Sequence, residues 1–218
     1  HLWKTGEILY FVASLLTASM IRFCMIWMAI YGPYVTNTTV SSEYEAPSHE
    51  EFCRRIETYT KTLPWLVCRI DGRVAGYGYA SPHRSRAGYQ WSVETSIYVA
   101  PDFHRQGVAA ALYRVLFSLL VRQGYYNIFV GITSPNERSI KFHTAMGFTI
   151  SGAYQNSMYK FGQWRDVLWM AKSLRPHEMA PVPTVPFPEI RDEAQTKAVL
   201  EAQAKTVRLD ETARVHGA

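Results

Sequence analysis

The sequence is short of cysteine, of metal-ligand motifs and of charge. Its 218 residues include three cysteines, Cys24, Cys53 and Cys68, which form no CxxC pair. We therefore expect no disulfide framework and predict a reducing compartment, the cytoplasm. The seven histidines show no HExxH or other metal-ligand spacing, so no bound metal is expected.

No apolar run near the amino end is long enough to cross a bilayer. Residues 8–21 are apolar, but Arg22 interrupts the run, and a membrane-spanning helix needs roughly twenty apolar residues. A segment of this length can also act as an export signal. We expect neither a membrane anchor nor a membrane partner. Instead, residues 20–23, "MIRF", are predicted to form the first strand of the fold.

The overall composition is that of a globular protein. Hydrophobic residues make up 48% of the chain and charged residues 19%, with a formal net charge of +5. This modest positive excess suits an anionic small ligand. It is too small and too scattered to indicate a nucleic-acid partner.

Apolar periodicity and turn residues predict a mixed α/β sheet around one core. Asp71-Gly72 separates two β-rich runs and is a strong hairpin signal. Val108, Leu112 and Leu119 recur at helical spacing, and Gly124 supplies a stop. The predicted elements are a hairpin over 64–80, strands over 90–100, 126–133 and 165–174, and helices over 105–122 and 134–147.

The same pattern divides the chain into three parts. Residues 1–19 are predicted to be an apolar extension, and residues 20–174 the folded domain. After residue 174 the sequence packs five prolines into "RPHEMAPVPTVPFPEI", which predicts an extended arm. A charged, helix-prone tail follows to residue 218, and we expect it to be solvated because its apolar positions are sparse.

A small-residue turn, "HRQGVAA", joins the third strand to the first long helix. A helix start offers free N–H groups and a positive dipole end to phosphate oxygens, and Gly107 lets the backbone come close. Arg105 adds a cation. An ordinary tight strand-to-helix connection with surface charges would have the same sequence pattern. The turn alone therefore does not distinguish a phosphate-binding site from a plain connection.

The neighbouring segments resemble a known family. "RQGVAA" with "SIYV" before it and "SPNERSIKFHTAMGF" after it is similar to the acetyl-CoA-dependent GNAT superfamily of N-acetyltransferases. The segments "PWLVCRIDGRVAGYGYA", "YQWSVETSIYV" and "MYKFGQWRDVLWM" are similar to phosphinothricin and methionine-sulfoximine N-acetyltransferases. The resemblance implies the GNAT fold, a mixed and mostly antiparallel twisted sheet flanked by helices.

The resemblance also implies where acetyl-CoA binds. Backbone amides of the turn would hold the pyrophosphate, the preceding strand would bond the pantetheine arm, and Asn136 would contact the cofactor from the next helix. His104 and Ala109 depart from the family pattern, and the methyl group of Ala109 is expected to weaken cofactor affinity. The implied cofactor-binding residues are Ile97, Tyr98, Val99, Arg105, Gln106, Gly107, Val108, Ala109, Ala110 and Asn136.

Two residues are predicted to be catalytic on the same grounds. Amine acetylation needs an acceptor for the proton of the amine and stabilisation of the charge that develops. The resemblance makes Glu94 the general base, acting directly or through a water; read alone, Glu94 could be an edge glutamate in a salt bridge. His143 stands where many members have tyrosine, and its imidazole could act as acid or base.

A basic loop and two tyrosines are predicted to bind the acceptor. Arg84 and Arg86 fall where the family places a positive loop over the substrate, and a guanidinium suits the carboxylate of an amino acid. Their alternative is a solvated basic loop. Tyr34 and Tyr159 match aromatic positions near the family pocket. Ser42 stands where relatives have phenylalanine, which predicts an altered pocket and an acceptor other than phosphinothricin itself.

Together these features predict an acetyl-CoA-dependent N-acetyltransferase. The predicted reaction is direct transfer, in a ternary complex, to a small amino-acid-like amine. The alternatives are the same chemistry on a peptide, polyamine or antibiotic amine, or a CoA-binding module without turnover. The resemblance also implies a homodimer.

Overall fold

The computed structural model describes the backbone of residues 7–11 and 18–207 and the side chains from Ile26 to Val207. Seven strands form one sheet in the order β1-β2-β3-β4-β5-β7-β6. The strands are β1 (Glu7–Phe11), β2 (Trp65–Ile70), β3 (Arg73–Pro82), β4 (Ser92–Val99), β5 (Asn127–Thr133), β6 (Thr149–Lys160) and β7 (Gln163–Ser173). The helices are α1 (Ala18–Thr36), α2 (His49–Thr60), α3 (Val108–Gln123), α4 (Glu137–Ala145), α5 (Phe187–Ile190) and α6 (Ala194–Ala204).

The sheet is mostly antiparallel, as predicted. Only β4 and β5 pair in parallel; the other neighbouring strands are antiparallel. The β2–β3 hairpin turns at Asp71 (φ 52°) and Gly72 (φ 75°), so both turn residues take the left-handed conformation that a two-residue hairpin requires. Gly124 (φ 96°) ends α3.

Helices cover both faces of the sheet. On one face, α1 and α2 pack Trp27, Val35 and Ile56 against Trp65 and Tyr77 of the sheet. On the other face, α3 contributes the centre of the larger core, where its leucines and valines pack against alternate residues of β2, β3, β4 and β5. This alternation follows from the two-residue period of a strand. The sheet therefore separates two apolar layers.

The prediction of a strand at residues 20–23 is wrong. These residues lie in α1, which runs from Ala18 to Thr36. A run of four apolar residues cannot distinguish a strand from a buried helix, and the length of the continuing apolar segment favours a helix. The first strand is Glu7–Phe11, which pairs with β2 as the outer strand, so part of the predicted extension belongs to the sheet. The three-part division of the chain stays a prediction.

The expectation of a solvated tail is wrong at the buried positions of residues 189–207, and the Pro-rich arm before it also contributes a buried side chain. Phe187, Ile190, Leu200 and Val207 are buried in the core beneath α3. The arm is fixed by Gln123, whose amide donates to the carbonyls of Thr62 and Val185. Its few apolar residues insert at separate points, so the segment needs no helical periodicity to be buried. Residues 208–218 lie outside the described part.

Helix α2 and strand β6 were also not predicted from the sequence. The N-cap Ser48 begins α2 by accepting from the N–H of Glu51, and β6 is an exposed edge strand with two register shifts. None of the described helices is long and apolar enough to cross a membrane. Cys53 is disulfide-bonded, which corrects the expectation drawn from cysteine spacing, whereas Cys68 is a buried free thiol.

Candidate active site

The site begins where β4 and β5 part. Their parallel pairing extends only from Ser92↔Asn127 to Glu94↔Phe129. Beyond Glu94 the strands diverge, and residues 95–99 and 130–133 line a cavity of about 720 Å³. Strand edges that lack a neighbouring strand present N–H and C=O groups to whatever enters, and an extended chain with amides can pair with them. The predicted strand residues Ile97, Tyr98 and Val99 all lie on this wall.

The amino end of α3 forms the floor of the cavity. Arg105 (φ 64°) and Gly107 (φ 80°) have left-handed backbone conformations that bend the turn into the helix. The first N–H groups of a helix have no intrahelical acceptor and carry the positive end of its dipole. Arg105, Gly107, Val108, Ala109 and Ala110 line the cavity. This turn therefore presents free donors and a cation to one anionic group.

Gln106 is the predicted cofactor residue that does not line the cavity. Its side-chain amide donates to the carbonyl of Asp102 at 3.0 Å, and the residue is buried. The side chain therefore holds the turn in shape.

His104, the first departure from the family pattern, ties three elements together. Its Nε2 lies 3.0 Å from the carbonyl oxygen of Val99 and 3.2 Å from the hydroxyl of Tyr34. Burial, with Arg138 and Arg105 nearby, lowers the pKa of His104, and because a carbonyl only accepts, Nε2 carries the proton. Tyr34 also donates to the Val99 oxygen, at 2.8 Å, and lines the cavity; its contact with the acceptor stays a prediction.

The amino end of α4 supplies the opposite wall. Asn136 caps this helix, its Oδ1 accepting from the N–H of Ser139 at 3.1 Å, and it faces the cavity. Arg138 also lines the cavity and was not predicted. Its position two residues after Asn136, in the first turn of the helix, was the available signal. With Arg105, it makes this end of the cavity positive.

His143 is held in one tautomer. Its Nδ1 lies 2.8 Å from the carbonyl oxygen of Ser139, so Nδ1 carries the proton. Burial lowers the pKa of His143, which favours the neutral ring and leaves Nε2 as an acceptor. The hydroxyl of Tyr113, 2.8 Å away, donates to Nε2, and Thr95 contacts the same hydroxyl at 3.4 Å. All four residues line the cavity.

Tyr113 was not predicted from the sequence. It lies on the buried face of α3, where an aromatic residue at helical spacing reads as core. Burial raises the pKa of its hydroxyl far above the ordinary value. The hydroxyl therefore stays protonated and is a hydrogen-bond donor at the cavity wall.

Glu94 lies at the last position at which β4 pairs with β5, on the sheet face opposite His143. Thr95, the next residue, points to Tyr113 of α3, whereas Tyr98 packs on Tyr31 and Tyr34 of α1. Because successive side chains alternate, Glu94 shares the face of Tyr98. The two predicted catalytic residues thus flank the split from opposite sides, although Glu94 is not among the residues that line the cavity.

The carboxylate of Glu94 has two basic partners. Its Oε1 lies 2.9 Å from Nδ1 of His83 and 3.2 Å from a guanidinium nitrogen of Arg84. The Arg84 guanidinium also stacks over the ring of Trp169, 5.6 Å from its centroid. Arg84 therefore forms with Glu94 the salt bridge that was the alternative for Glu94, and its role in binding the acceptor stays a prediction.

Of the four predicted acceptor residues only Tyr34 lines the cavity; Arg84 is beside Glu94, and the other two lie elsewhere. Arg86 is exposed and precedes a short 3-10 turn, Ala87–Tyr89. Tyr159 is exposed on β6, where its ring packs on Trp164 at 5.3 Å. Neither lines the cavity. Their assignment stays a prediction without contact to the site.

A buried lysine holds the loop that closes the cavity on the α1 side. The ammonium of Lys160 on β6 donates to the carbonyls of Val35 and Ser41 at 2.7 Å each. Desolvation lowers its pKa. Thr38 and Val40, on the same loop, line the cavity. In the described part of the chain, no group of three or more His, Cys, Asp or Glu side chains could hold a metal ion.

Comparisons with known proteins agree with this geometry. A family model described as an acetyltransferase (GNAT) domain matches residues 25–169. The chain is 34% identical to a phosphinothricin N-acetyltransferase of Streptomyces viridochromogenes over 138 residues, which is 63% of this chain and 75% of that protein. It is 34% identical to an L-methionine sulfoximine/L-methionine sulfone acetyltransferase of Pseudomonas aeruginosa over 156 residues, 71% of this chain and 91% of that protein.

A solved structure has the same fold. The crystal structure of a GNAT superfamily phosphinothricin acetyltransferase from Sinorhizobium meliloti, in complex with acetyl-CoA, superposes with a TM-score of 0.72 at 30% identity. The match covers 83% of this chain and 94% of that one. The predicted family and fold are confirmed, and the chain belongs to the GNAT superfamily of acetyl-CoA-dependent N-acetyltransferases.

Proposed function

We propose that the chain transfers the acetyl group of acetyl-CoA directly to the amine of a small amino-acid-like acceptor within a ternary complex. The observation that carries this proposal is the split between β4 and β5. It opens onto the donor-rich end of α3 and is flanked by Glu94 on one face and His143 with Tyr113 on the other. The names of the relatives support an amino-acid-like acceptor.

The cofactor would be held by backbone groups and two cations. Acetyl-CoA supplies a thioester that an amine can attack. The N–H groups at the start of α3, with Arg105 and Arg138, would bind its pyrophosphate, and the open edges of β4 and β5 would bond the pantetheine amides. The cavity would suit an extended ligand because residues 95–99 of β4 and 130–133 of β5 line it with unpaired strand edges. These contacts fix the thioester at the narrow end of the split, near Glu94 and Thr95.

Two groups would then serve the chemical step. Glu94 accepts the proton of the amine, directly or through a water, and positioned proton transfer of this kind contributes about 10²–10⁴ in rate. In its tautomer His143 has no proton on Nε2 to give, so it acts as the acceptor that orients the hydroxyl of Tyr113. The hydroxyl of Tyr113 has a single proton, so it would donate to the negative charge of the departing sulfur only by turning that proton away from Nε2 of His143.

The proposal is tested by thiol release from acetyl-CoA with a panel of acceptors. The panel holds phosphinothricin, methionine sulfoximine, methionine sulfone, ordinary amino acids, polyamines and peptides. Release with amino-acid-like acceptors is expected. Thiol release only with polyamines or peptides would mean that the same reaction acts on a different class of amine. If the protein binds acetyl-CoA but releases no thiol with any acceptor of the panel, a CoA-binding module without turnover is favoured.

A matched pair of variants tests the role of Glu94. We expect Glu94→Gln to lower kcat by about 10²-fold or more, with acetyl-CoA affinity by calorimetry unchanged. Glu201→Gln, on the exposed surface of α6, is the control and should keep full activity. Equal kcat in the two variants would remove Glu94 from the mechanism.

A homodimer is part of the proposal. The edge strand β6, the turn after it and the start of β7 expose large apolar side chains, with Ile150 and Trp164 each 61% exposed; the others are Tyr154, Tyr159 and Phe161. Burying such a patch against a second copy would be favourable. Sedimentation equilibrium measures the mass directly, and Ile150→Lys should shift it towards the monomer. The cytoplasmic location stays a prediction.

A further inference from the structure

His83 lies directly after β3 and is packed on three sides by aromatic rings. Its imidazole stacks on Phe129, with centroids 4.3 Å apart and planes at 18°. The edges of Tyr89 and Trp169 close the other sides at 5.7 and 5.9 Å. Only 10% of the side chain is exposed. A ring held in this way has little rotational freedom.

The ring donates to the carboxylate of Glu94. Nδ1 lies 2.9 Å from Oε1, and an ionised carboxylate only accepts, so Nδ1 carries the proton. Arg84 reaches the same oxygen at 3.2 Å. Among the described residues, both hydrogen bonds to Glu94 therefore fall on Oε1, and Oε2 is the oxygen left to take a proton from an amine.

The two donors differ in mobility. The side chain of Arg84 is 43% exposed and lies on the loop proposed to bind the acceptor's carboxylate. When its guanidinium turns to a substrate, its hold on Glu94 weakens. His83 is held by Phe129, Tyr89 and Trp169 and has no such alternative. It is therefore the donor that keeps the carboxylate in place while substrate is bound.

We propose that His83 is a positioning residue, which fixes Oε1 of Glu94 so that Oε2 faces the acceptor amine. This inference rests on the proposed function, in which Glu94 accepts the proton of the amine. A misplacement of about 1 Å in a catalytic group can cost about 10²-fold in rate. The role of His83 should thus appear in kcat rather than in cofactor binding.

Two variants separate the hydrogen bond from the packing. In His83→Asn the side-chain nitrogen occupies the place of Nδ1, so the donor to Glu94 is kept and the ring is lost. In His83→Phe the ring stack on Phe129 is kept and the donor is lost. We expect His83→Phe to lower kcat by about 10- to 100-fold, with acceptor KM and acetyl-CoA affinity within about threefold of wild type. His83→Asn should recover most of kcat.

The outcomes are distinct. A wild-type chain that acetylates no acceptor refutes the proposed function. An active wild type with an equally active His83→Phe refutes the positioning role, and so does a loss of kcat that His83→Asn does not rescue. If circular dichroism shows that His83→Phe does not fold, ¹⁵N NMR of the wild-type protein decides, with the His83 signals assigned by their loss in His83→Asn. A proton on Nδ1 of His83 supports the proposal, and a proton on Nε2 alone overturns it.

Discussion

Gly76 is a position where one added methyl group should disturb both strand pairing and the cofactor cradle. It lies in β3 and pairs with Val99 of β4. A Cβ atom there would lie 2.7 Å from the carbonyl oxygen of Tyr98, 3.2 Å from Cα of Val99 and 3.2 Å from Cγ1 of Val108. Two of these neighbours are backbone atoms and cannot rotate away. The third neighbour belongs to Val108, the first residue of α3, which directly follows the left-handed Gly107.

The cost of Gly76→Ala can be worked out from these contacts. Overpacking of this kind typically lowers the free energy of unfolding by about 1–3 kcal/mol. Replacing glycine by alanine also reduces the conformational entropy of the unfolded chain, which raises the free energy of unfolding by about 0.4–1 kcal/mol. The central values leave a net loss of about 1.3 kcal/mol, which corresponds to a Tm lower by about 3–5 °C for a chain of this size. Displacement of Val108 should also weaken acetyl-CoA binding about threefold, which is about 0.7 kcal/mol.

Thermal unfolding followed by circular dichroism, with calorimetry for acetyl-CoA, measures both effects. Gly152→Ala is the matched control, because a Cβ at this position of β6 meets no atom within 4 Å. Its Tm should stay within about 2 °C of wild type, since surface changes of this kind are usually within about 0.5 kcal/mol. A Gly76→Ala protein as stable as Gly152→Ala would refute the close approach of β3 to β4 and α3.

Two further predictions concern buried ionisable groups. Lys160→Met leaves two carbonyls without their donor, so we expect the free energy of unfolding in urea to fall by about 1–3 kcal/mol. Lys141→Met, on an exposed side chain, is the control, and an equal free energy of unfolding in the two variants would contradict the role of Lys160 in holding the loop. Burial lowers the pKa of His143, so below about pH 6.5 the unfolded chain takes up a proton that the folded chain does not. Stability should fall with pH below that value, by at most about 1.4 kcal/mol per unit from this residue, and His143→Asn should show a shallower slope; an unchanged slope would contradict the burial of the ring.

Much of the fold was predictable because its signals are local. The hairpin at Asp71-Gly72 and the end of α3 at Gly124 each depend on a residue that tolerates a positive φ, and the sequence displays such residues directly. The turn at Arg105 and Gly107 also takes positive φ values and lines the cavity, while its role as a phosphate cradle stays a prediction. Its chemistry became specific only through the likeness of several segments to one family.

What was missed depends on contacts between distant parts of the chain. His83 and Glu94 are eleven residues apart, and no pattern in the amino-acid sequence indicates that β3 and β4 bring their side chains together. Tyr113 reads as a core residue until α4 places His143 beside it. The tail was predicted to be solvated because its apolar residues are few, and only the groove beneath α3 shows where they go. The edge strand β6 has no apolar alternation to reveal it, since both its faces are largely exposed.

The open split between β4 and β5 has a consequence for turnover. Its strand edges and the start of α3 would hold the pantetheine and the pyrophosphate, which are common to acetyl-CoA and to CoA. The product CoA therefore keeps nearly all of the groups through which acetyl-CoA would bind, and it competes with acetyl-CoA for the same cavity. The rate of acetylation should then follow the ratio of acetyl-CoA to CoA rather than the concentration of acetyl-CoA alone, so the enzyme slows as the acetylated fraction of the CoA pool declines.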